Sequence, residues 1–204
     1  AASFGSTSQI NKEYDYIKNS LLSFDFVGLR DKNSEKIMNK IGYKNTQIVL
    51  DPTFLINQNV IEPNINKKYI FYYCVGSNEK LDGELLNLSR NLGLDVIAFG
   101  YKHNKFKNII SISPFEWLGY LKNSEYVVTN MFHGAIFSIK YKKKFIVKMT
   151  KYRENKLGFL LDLLSLRDRV YIENNFECII QNTIDYSAVF KKINSMVLIS
   201  KDYL

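Results

Sequence analysis

The chain has 204 residues, with 28 Lys plus Arg against 20 Asp plus Glu, a formal net charge of +8. Apolar residues make up 46%, with 14 Tyr and 14 Phe but only 10 Gly and 3 Pro. That aromatic content excludes a disordered tail, the scarcity of Gly and Pro excludes collagen-like and low-complexity chains, and the length suits one or two domains of about 100–150 residues.

Short apolar runs alternate with amphipathic stretches, the rhythm of an α/β protein with a mostly parallel sheet. Ile10, Tyr14, Ile17 and Leu21 predict a helix over residues 9–22, capped by Ser6, Thr7 or Ser8. Residues 24–29 read as a strand. Asn33 or Ser34 starts a second helix that runs to Ile41 and ends at Gly42, and a strand at 47–50 stops at Asp51-Pro52. The stretch 57–68 carries Pro63 and four Asn without hydrophobic periodicity, so it reads as a linker.

A new alternation follows. Residues 69–75 form an unbroken apolar run suited to a strand buried on both faces, and Cys74 within it reads as a buried thiol. A helix over 81–92 closes at Gly93, and a strand over 94–99 ends at Gly100. The polar loop 101–108 holds His103, read as solvated, before a short strand at 109–110. Ser113 as N-cap and Pro114 at the first position open a helix to 122. A strand at 126–129, a helix at 133–141, a strand at 145–148 and helices at 155–164 and 187–199 complete the pattern. The expected organisation is a remnant α/β domain with the start of a linker over 1–60, a Rossmann-like domain over 68–186, and a terminal helix at 187–204 packing back on the first domain. The opening at Ala1 without Met, with the short first sheet, leads to the expectation of a C-terminal portion of a longer protein.

Cys74 and Cys178 lie far apart, which argues against a disulfide framework and a C-x-x-C metal pair. No apolar run approaches the ~18–20 residues that span a bilayer, and no secretory signal pattern is visible. The expected setting is cytoplasmic. No H-E-x-x-H, D-x-D or Cys/His cluster argues for a metal.

Ligands of open α/β sheets bind where strands end and helices begin. The strongest such corner is Thr129-Asn130-Met131-Phe132-His133-Gly134, one of two places with a His. His133 there is a candidate anion donor or general acid/base, and Gly134 allows close backbone approach. The plain alternative is that Thr129 and Asn130 cap the helix and His133 packs on the sheet. Arg30, delivered by the strand before Asp31, offers a fork for carboxylate or phosphate; an Arg30–Asp31 or Arg30–Asp51 surface pair is the alternative. The small-residue turn Ser3 to Ser8 is a weaker anion cradle through its backbone N–H groups, with a plain N-cap turn as the favoured alternative. Lys148, Arg153 and Lys156 follow a strand and are candidates for the mouth that holds His133. The lysine run 140–144 suits a helix C-terminus, with an anionic membrane surface as the other reading. Basic residues spread along the chain without an RRM, KH or helix-turn-helix signature argue against nucleic acid.

Several segments in register resemble the polysaccharide pyruvyl transferase family. They are Ala2-Ser3-Phe4-Gly5, the stretch Phe24 to Lys32 with its R-[DE]-x-x-S-like Arg30-Asp31-Lys32-Asn33-Ser34, Val49 to Leu55, and Ser113 to Leu118. The most specific is Val128 to Ile139, similar to V-T-[DN]-S-F-H-G-x-x-F-S-I, with Met131 in place of the small Ser. Lys144-Phe145-Ile146 and Leu160-Leu161 to Leu166-x-x-Arg169 follow.

The resemblance implies the C-terminal half of a two-domain GT-B-type bacterial transferase, with the tail of the preceding domain and the site in the interdomain cleft. It implies pyruvyl transfer from phosphoenolpyruvate, as donor substrate without a further cofactor, to a sugar of a surface polysaccharide or its lipid-linked precursor. The setting it implies is the cytoplasm or the inner face of the membrane. His133 and Arg30 become the catalytic candidates, with Asn130, Gly134, Ser3, Gly5, Arg153 and Lys148 as substrate-binding candidates. The alternatives are a nucleotide-sugar-dependent glycosyl- or sialyltransferase of similar fold and a non-catalytic basic anion-binding module.

Overall fold

The computed structural model describes residues 1–7 and 14–203, so the expected cap Ser8 and helix start at 9–13 lie outside the described residues. In chain order the elements open with α1 (Tyr14–Leu21), β1 (Val27–Leu29), α2 (Lys32–Ile41) and β2 (Thr46–Ile48). They continue with β3 (Tyr69–Tyr73), α3 (Glu79–Leu92), β4 (Asp95–Phe99), β5 (Lys107–Ile109), α4 (Pro114–Asn123), β6 (Tyr126–Thr129), α5 (Phe132–Lys140) and β7 (Lys144–Val147). The last helices are α6 (Phe159–Leu163), α7 (Phe176–Gln181) and α8 (Tyr186–Asp202). Two compact units form. One holds Ala1–Asn57, Lys151–Ser165 and Ser187–Leu204, and the other Gln58–Thr150 and Leu166–Tyr186.

In the first unit β1 and β2 pair in parallel, and Ala2 adds a parallel bridge to Leu29. Ile37, Met38 and Ile41 of α2 share one helix face and bury against Leu29, with Ile17 and Leu21 of α1 beside them. Asp31, not Asn33 or Ser34, is the N-cap of α2, accepting from Ser34 N–H at 2.7 Å. Ser34 sits at the third helical position, where its own N–H is the donor to be satisfied. Gly42 ends the helix at φ +83°, a left-handed conformation that suits Gly. On α8, Ser200 Oγ accepts from Leu50 N–H at 2.9 Å, and Tyr203 just past the helix donates to Asn45 O at 3.0 Å. Residues 151–165, expected with the second domain, belong to this unit, where Asn155 Nδ2 donates to Gly5 O at 2.9 Å. They form a π-helical turn at Glu154–Gly158 before α6, where periodicity predicts one plain helix.

The second unit is a five-stranded parallel sheet of order β5-β4-β3-β6-β7. Counted along the chain this is third, second, first, fourth, fifth, a Rossmann-like half-sheet whose direction of winding reverses between β3 and β6. Ile70, Tyr72, Val96, Ala98, Val128 and Ile146 point to one face and pack against Leu81, Leu85 and Leu88 of α3 and Phe176, Ile179 and Ile180 of α7. Phe71 and Phe99 stack on the other face, at 4.1 Å, beside Trp117 and Tyr120 of α4. β3 therefore buries both faces, which its unbroken apolar run requires. Ser113 and Glu116 close a reciprocal capping box at the start of α4.

Two loops depart from their sequence expectation. Residues 58–68 lie docked on α4. Ile61 N–H donates to Phe115 O at 3.1 Å, and a Cβ at Gly119 would lie 1.9 Å from Ile61 O. His103 is 7% exposed, not solvated. Its Nε2 lies 3.1 Å from the fully buried Asp82 carboxylate, its ring stacks on Phe106, and Nδ1 accepts from Lys105 N–H. Because Nδ1 accepts, Nε2 carries the proton and donates to Asp82. Tyr72 OH donates to the same carboxylate at 3.1 Å. The polar neighbours of His103 concealed this, because Asp82 is distant in sequence.

The close approach at Gly119 gives a paired expectation. Gly119→Ala forces backbone apart and should lower stability by about 1–3 kcal/mol. Gly83 in α3 has open space around its Cβ position, and Gly83→Ala should raise stability by roughly 0.4–1 kcal/mol. Urea denaturation of both variants checks the opposite signs.

Candidate active site

The reversal of winding makes a crevice outside the carboxyl ends of β3 and β6, and the polar residues there divide into two groups. Thr129 and Asn130 are buried and serve the backbone. Thr129 Oγ1 donates to Tyr73 O at 2.7 Å and accepts from Met131 N–H at 2.9 Å. Asn130 Oδ1 accepts from Val75 N–H at 3.0 Å and its Nδ2 donates to Val75 O at 2.8 Å. The two side chains continue the β3–β6 pairing past its last ladder position. Neither caps α5, whose N-cap is Met131 with no side-chain cap bond. A Cβ at Gly134 would lie 2.3 Å from Thr129 Oγ1, so the glycine lets α5 sit against β6.

His133 is the exposed polar side chain of this corner, in the first turn of α5. It lines a pocket of about 320 Å³ whose other walls are Tyr73, Trp117, Phe137, Pro114 and the chain at Ile110 and Ile112. Trp117 meets Phe71 at 5.2 Å, Tyr73 at 4.9 Å and Phe137 at 5.9 Å, each edge to face, which fixes its ring. Gly100 turns at φ +73°, and a Cβ there would press within 3.2 Å of the Tyr73 ring. Tyr73 and Phe137 were not singled out from sequence as site residues. Trp117 stood only within a family-like segment. Their signal was alternation, since Phe71 and Tyr73 share a sheet face. Lys148 N–H donates to Thr129 O at this corner, but its ammonium lies over the Tyr171 ring, 5.2 Å from the centroid.

The other candidates belong to the first unit. Arg30 forms an ion pair with Asp51, whose carboxylate is buried and not at the surface. Burial pushes the Asp51 carboxyl up, but hydrogen bonds from the Thr53 hydroxyl and N–H, with Arg30, outweigh it and hold the pKa below the usual carboxylate value. Ser3 Oγ donates to Asp31 at 2.6 Å and accepts from Gly5 N–H at 3.0 Å. Ser34 Oγ accepts from Phe4 N–H at 2.9 Å, and Gly5 O accepts from Asn155. The segment Arg30-Asp31-Lys32-Asn33-Ser34 thus caps α2 and locks the Ser3-Phe4-Gly5 turn onto it. Arg153 ends a 3-10 turn at Lys151–Arg153 and is partly buried. The described residues contain no helix long and apolar enough to cross a membrane and no group of three or more His, Cys, Asp or Glu placed to hold a metal.

A parallel sheet with a crevice at its reversal, flanked by helices, defines a doubly wound α/β protein of the kind that binds ligands at strand ends. The family model of polysaccharide pyruvyl transferase matches residues 1–152, and the chain belongs to that family. Leu160-Leu161 and Leu166 to Arg169 lie beyond the match. No curated protein matches the chain.

Among solved structures, a putative UDP-N-acetylglucosamine 2-epimerase from Listeria monocytogenes is similar at 11% identity and a TM-score of 0.50, over 88% of this chain and 55% of that one. The UDP-GlcNAc 2-epimerase of Methanocaldococcus jannaschii is similar at 11% identity and a TM-score of 0.49, over 84% and 54%. The wall teichoic acid polymerase TagF is similar at 16% identity and a TM-score of 0.45, over 93% and 55%. At 11% identity the likeness to the Listeria protein is one of fold alone, a parallel sheet flanked by helices. The chain spans about half the length of these structures.

The depressed Asp51 pKa has a definite pH consequence. Its stabilisation is present above the unfolded carboxylate value near ~4 and is lost as pH falls through the lower folded value. Asp51→Asn should therefore flatten the loss of stability between about pH 5 and 3 relative to the natural chain. Parallel urea midpoints across that range would contradict it.

Proposed function

We propose that the protein transfers the pyruvyl unit of phosphoenolpyruvate to two hydroxyls of a sugar in a bacterial polysaccharide or its precursor, forming a ketal and releasing phosphate. The observation that carries this is His133, exposed on the wall of the crevice pocket within the stretch matched by the family model. An imidazole at such a place can act as a general acid and deliver a proton.

His133 donates its proton to the methylene carbon of the donor, which becomes a methyl group. The adjacent carbon, now electrophilic, takes one sugar oxygen. A second sugar oxygen then replaces phosphate as the carbon–oxygen bond to phosphorus's oxygen breaks. Of the two hydroxyl protons released, one restores His133 and the other leaves on phosphate. The reaction balances with donor, acceptor and one acid.

Arg30 is proposed to hold the donor's phosphate or carboxylate, a role its fork geometry suits. Ser3, Gly5, Arg153 and Lys148 are weaker candidates for the same anion, and Asn130 and Gly134 shape the corner. With a lipid-linked acceptor the reaction would run at the inner face of the membrane, where the lysine run 140–144 meets anionic lipid.

The test is phosphate release from phosphoenolpyruvate by the protein that carries this chain, with a panel of glycans. His133→Ala should lose about 10²-fold or more. Arg30→Lys, which keeps a charge beside Asp51, should raise the KM for the donor. No phosphate release with any acceptor, together with thermal stabilisation by nucleotide sugars and not by phosphoenolpyruvate, would replace this reading with a nucleotide-sugar transferase.

A further inference from the structure

We infer that the pocket beside His133 holds a pyranose ring of the acceptor, stacked on Trp117 and Tyr73, and this rests on the proposed pyruvyl transfer. Among the described residues, no ionisable side chain other than His133 and Tyr73 lines the pocket. A phosphoenolpyruvate phosphate, or the diphosphate of a nucleotide, meets no Lys or Arg among these described wall residues. His133 can meet one anionic group at its own edge of the pocket, but the remaining walls offer a charge no partner, so the body of the pocket suits a neutral group.

Its shape requirement is also defined. The volume, about 320 Å³, lies at the small end of ligand pockets. Two aromatic walls meet at a steep angle, Trp117 and Tyr73 being inclined at 68°. Aromatic faces carry partial negative charge and attract polarised hydrogens. A pyranose presents one face of C–H groups to such a wall and keeps its hydroxyls at the rim.

The walls are packed from behind. Phe71, fully buried, supports Trp117 from the core, and Gly100 leaves room for the Tyr73 ring. Rigid aromatic contacts lose little entropy on binding. His133 shares the pocket, so hydroxyls of a ring seated there lie on the side from which the donor carbon is protonated. The neutral acceptor and the charged donor then occupy chemically distinct ground.

Trp117 is the sole Trp of the chain, so its emission reports the pocket directly. The probes are methyl pyranosides of glucose, galactose, mannose and N-acetylglucosamine, with phosphoenolpyruvate and UDP as separate arms. At least one glycoside should change Trp117 emission saturably in the absence of donor, and UDP alone should not. In turnover, Trp117→Ala should raise the acceptor KM about tenfold or more with the donor KM unchanged, and Trp117→Phe should restore most of the loss. No response to any glycoside, or a response to UDP in its place, overturns the assignment, as does an unchanged acceptor KM in Trp117→Ala. The emission arm needs no turnover. A glycoside response without phosphate release therefore keeps the pocket and removes the reaction, while phosphate release with an indifferent Trp117 does the reverse.

Discussion

Two side chains at the end of one strand hold the mouth of the second unit's sheet in shape. Thr129 and Asn130 make four hydrogen bonds that reach Tyr73, Val75 and Met131. Each is worth about 0.5–1.5 kcal/mol net, and because both side chains are buried, leaving the partners unmet costs more. Their larger effect is geometric. β3 and β6 feed helices on opposite faces of the sheet, and without a clasp their ends would be free to part. Clasped, they define a fixed crevice. Gly134 then lets α5 approach Thr129 closely, and the first turn of that helix carries His133 to the pocket wall.

Polar residues in a family-like segment therefore serve different ends. Thr129, Asn130 and Gly134 build the corner, and His133 lies exposed on the pocket wall. The first unit repeats this division. Asp31 and Ser34 cap a helix and fasten the Ser3-Phe4-Gly5 turn, while Arg30 reaches Asp51. The buried carboxylate holds the guanidinium in place. Beside His133 the described pocket walls are mostly aromatic and apolar, with Tyr73, Trp117 and Phe137 among them.

Much of the sheet was legible because its side chains repeat with the period of the backbone. The run Tyr69 to Val75 announces a doubly buried strand, which the structure forms over Tyr69–Tyr73 with Val75 exposed beyond it, and Ser113-Pro114 announces the start of α4. The corner at Thr129 to Gly134 was legible as a place, since a strand, a small polar pair and a helix follow one another there. Its internal roles were not. A Gly that permits ligand approach and a Gly that permits helix packing look the same in one dimension. His103 shows the same limit more sharply. Lysines and an asparagine surround it in sequence, and only the fold brings Asp82, Tyr72 and Phe106 to its ring.

The length and charge that open the sequence acquire their meaning in the same way. By itself the chain of 204 residues determined an α/β alternation, the helix ends at Gly42 and Gly93, the cap at Ser113 and a His at a strand-to-helix corner, because each is set by residues within a turn or two of one another. The tertiary structure alone decided that residues 151–165 return to the first unit, that 58–68 dock on α4, and that Tyr73, Trp117 and Phe137 wall the pocket of His133. Those outcomes depend on close packing between segments far apart in the chain, and local periodicity carries no record of which distant surfaces will meet.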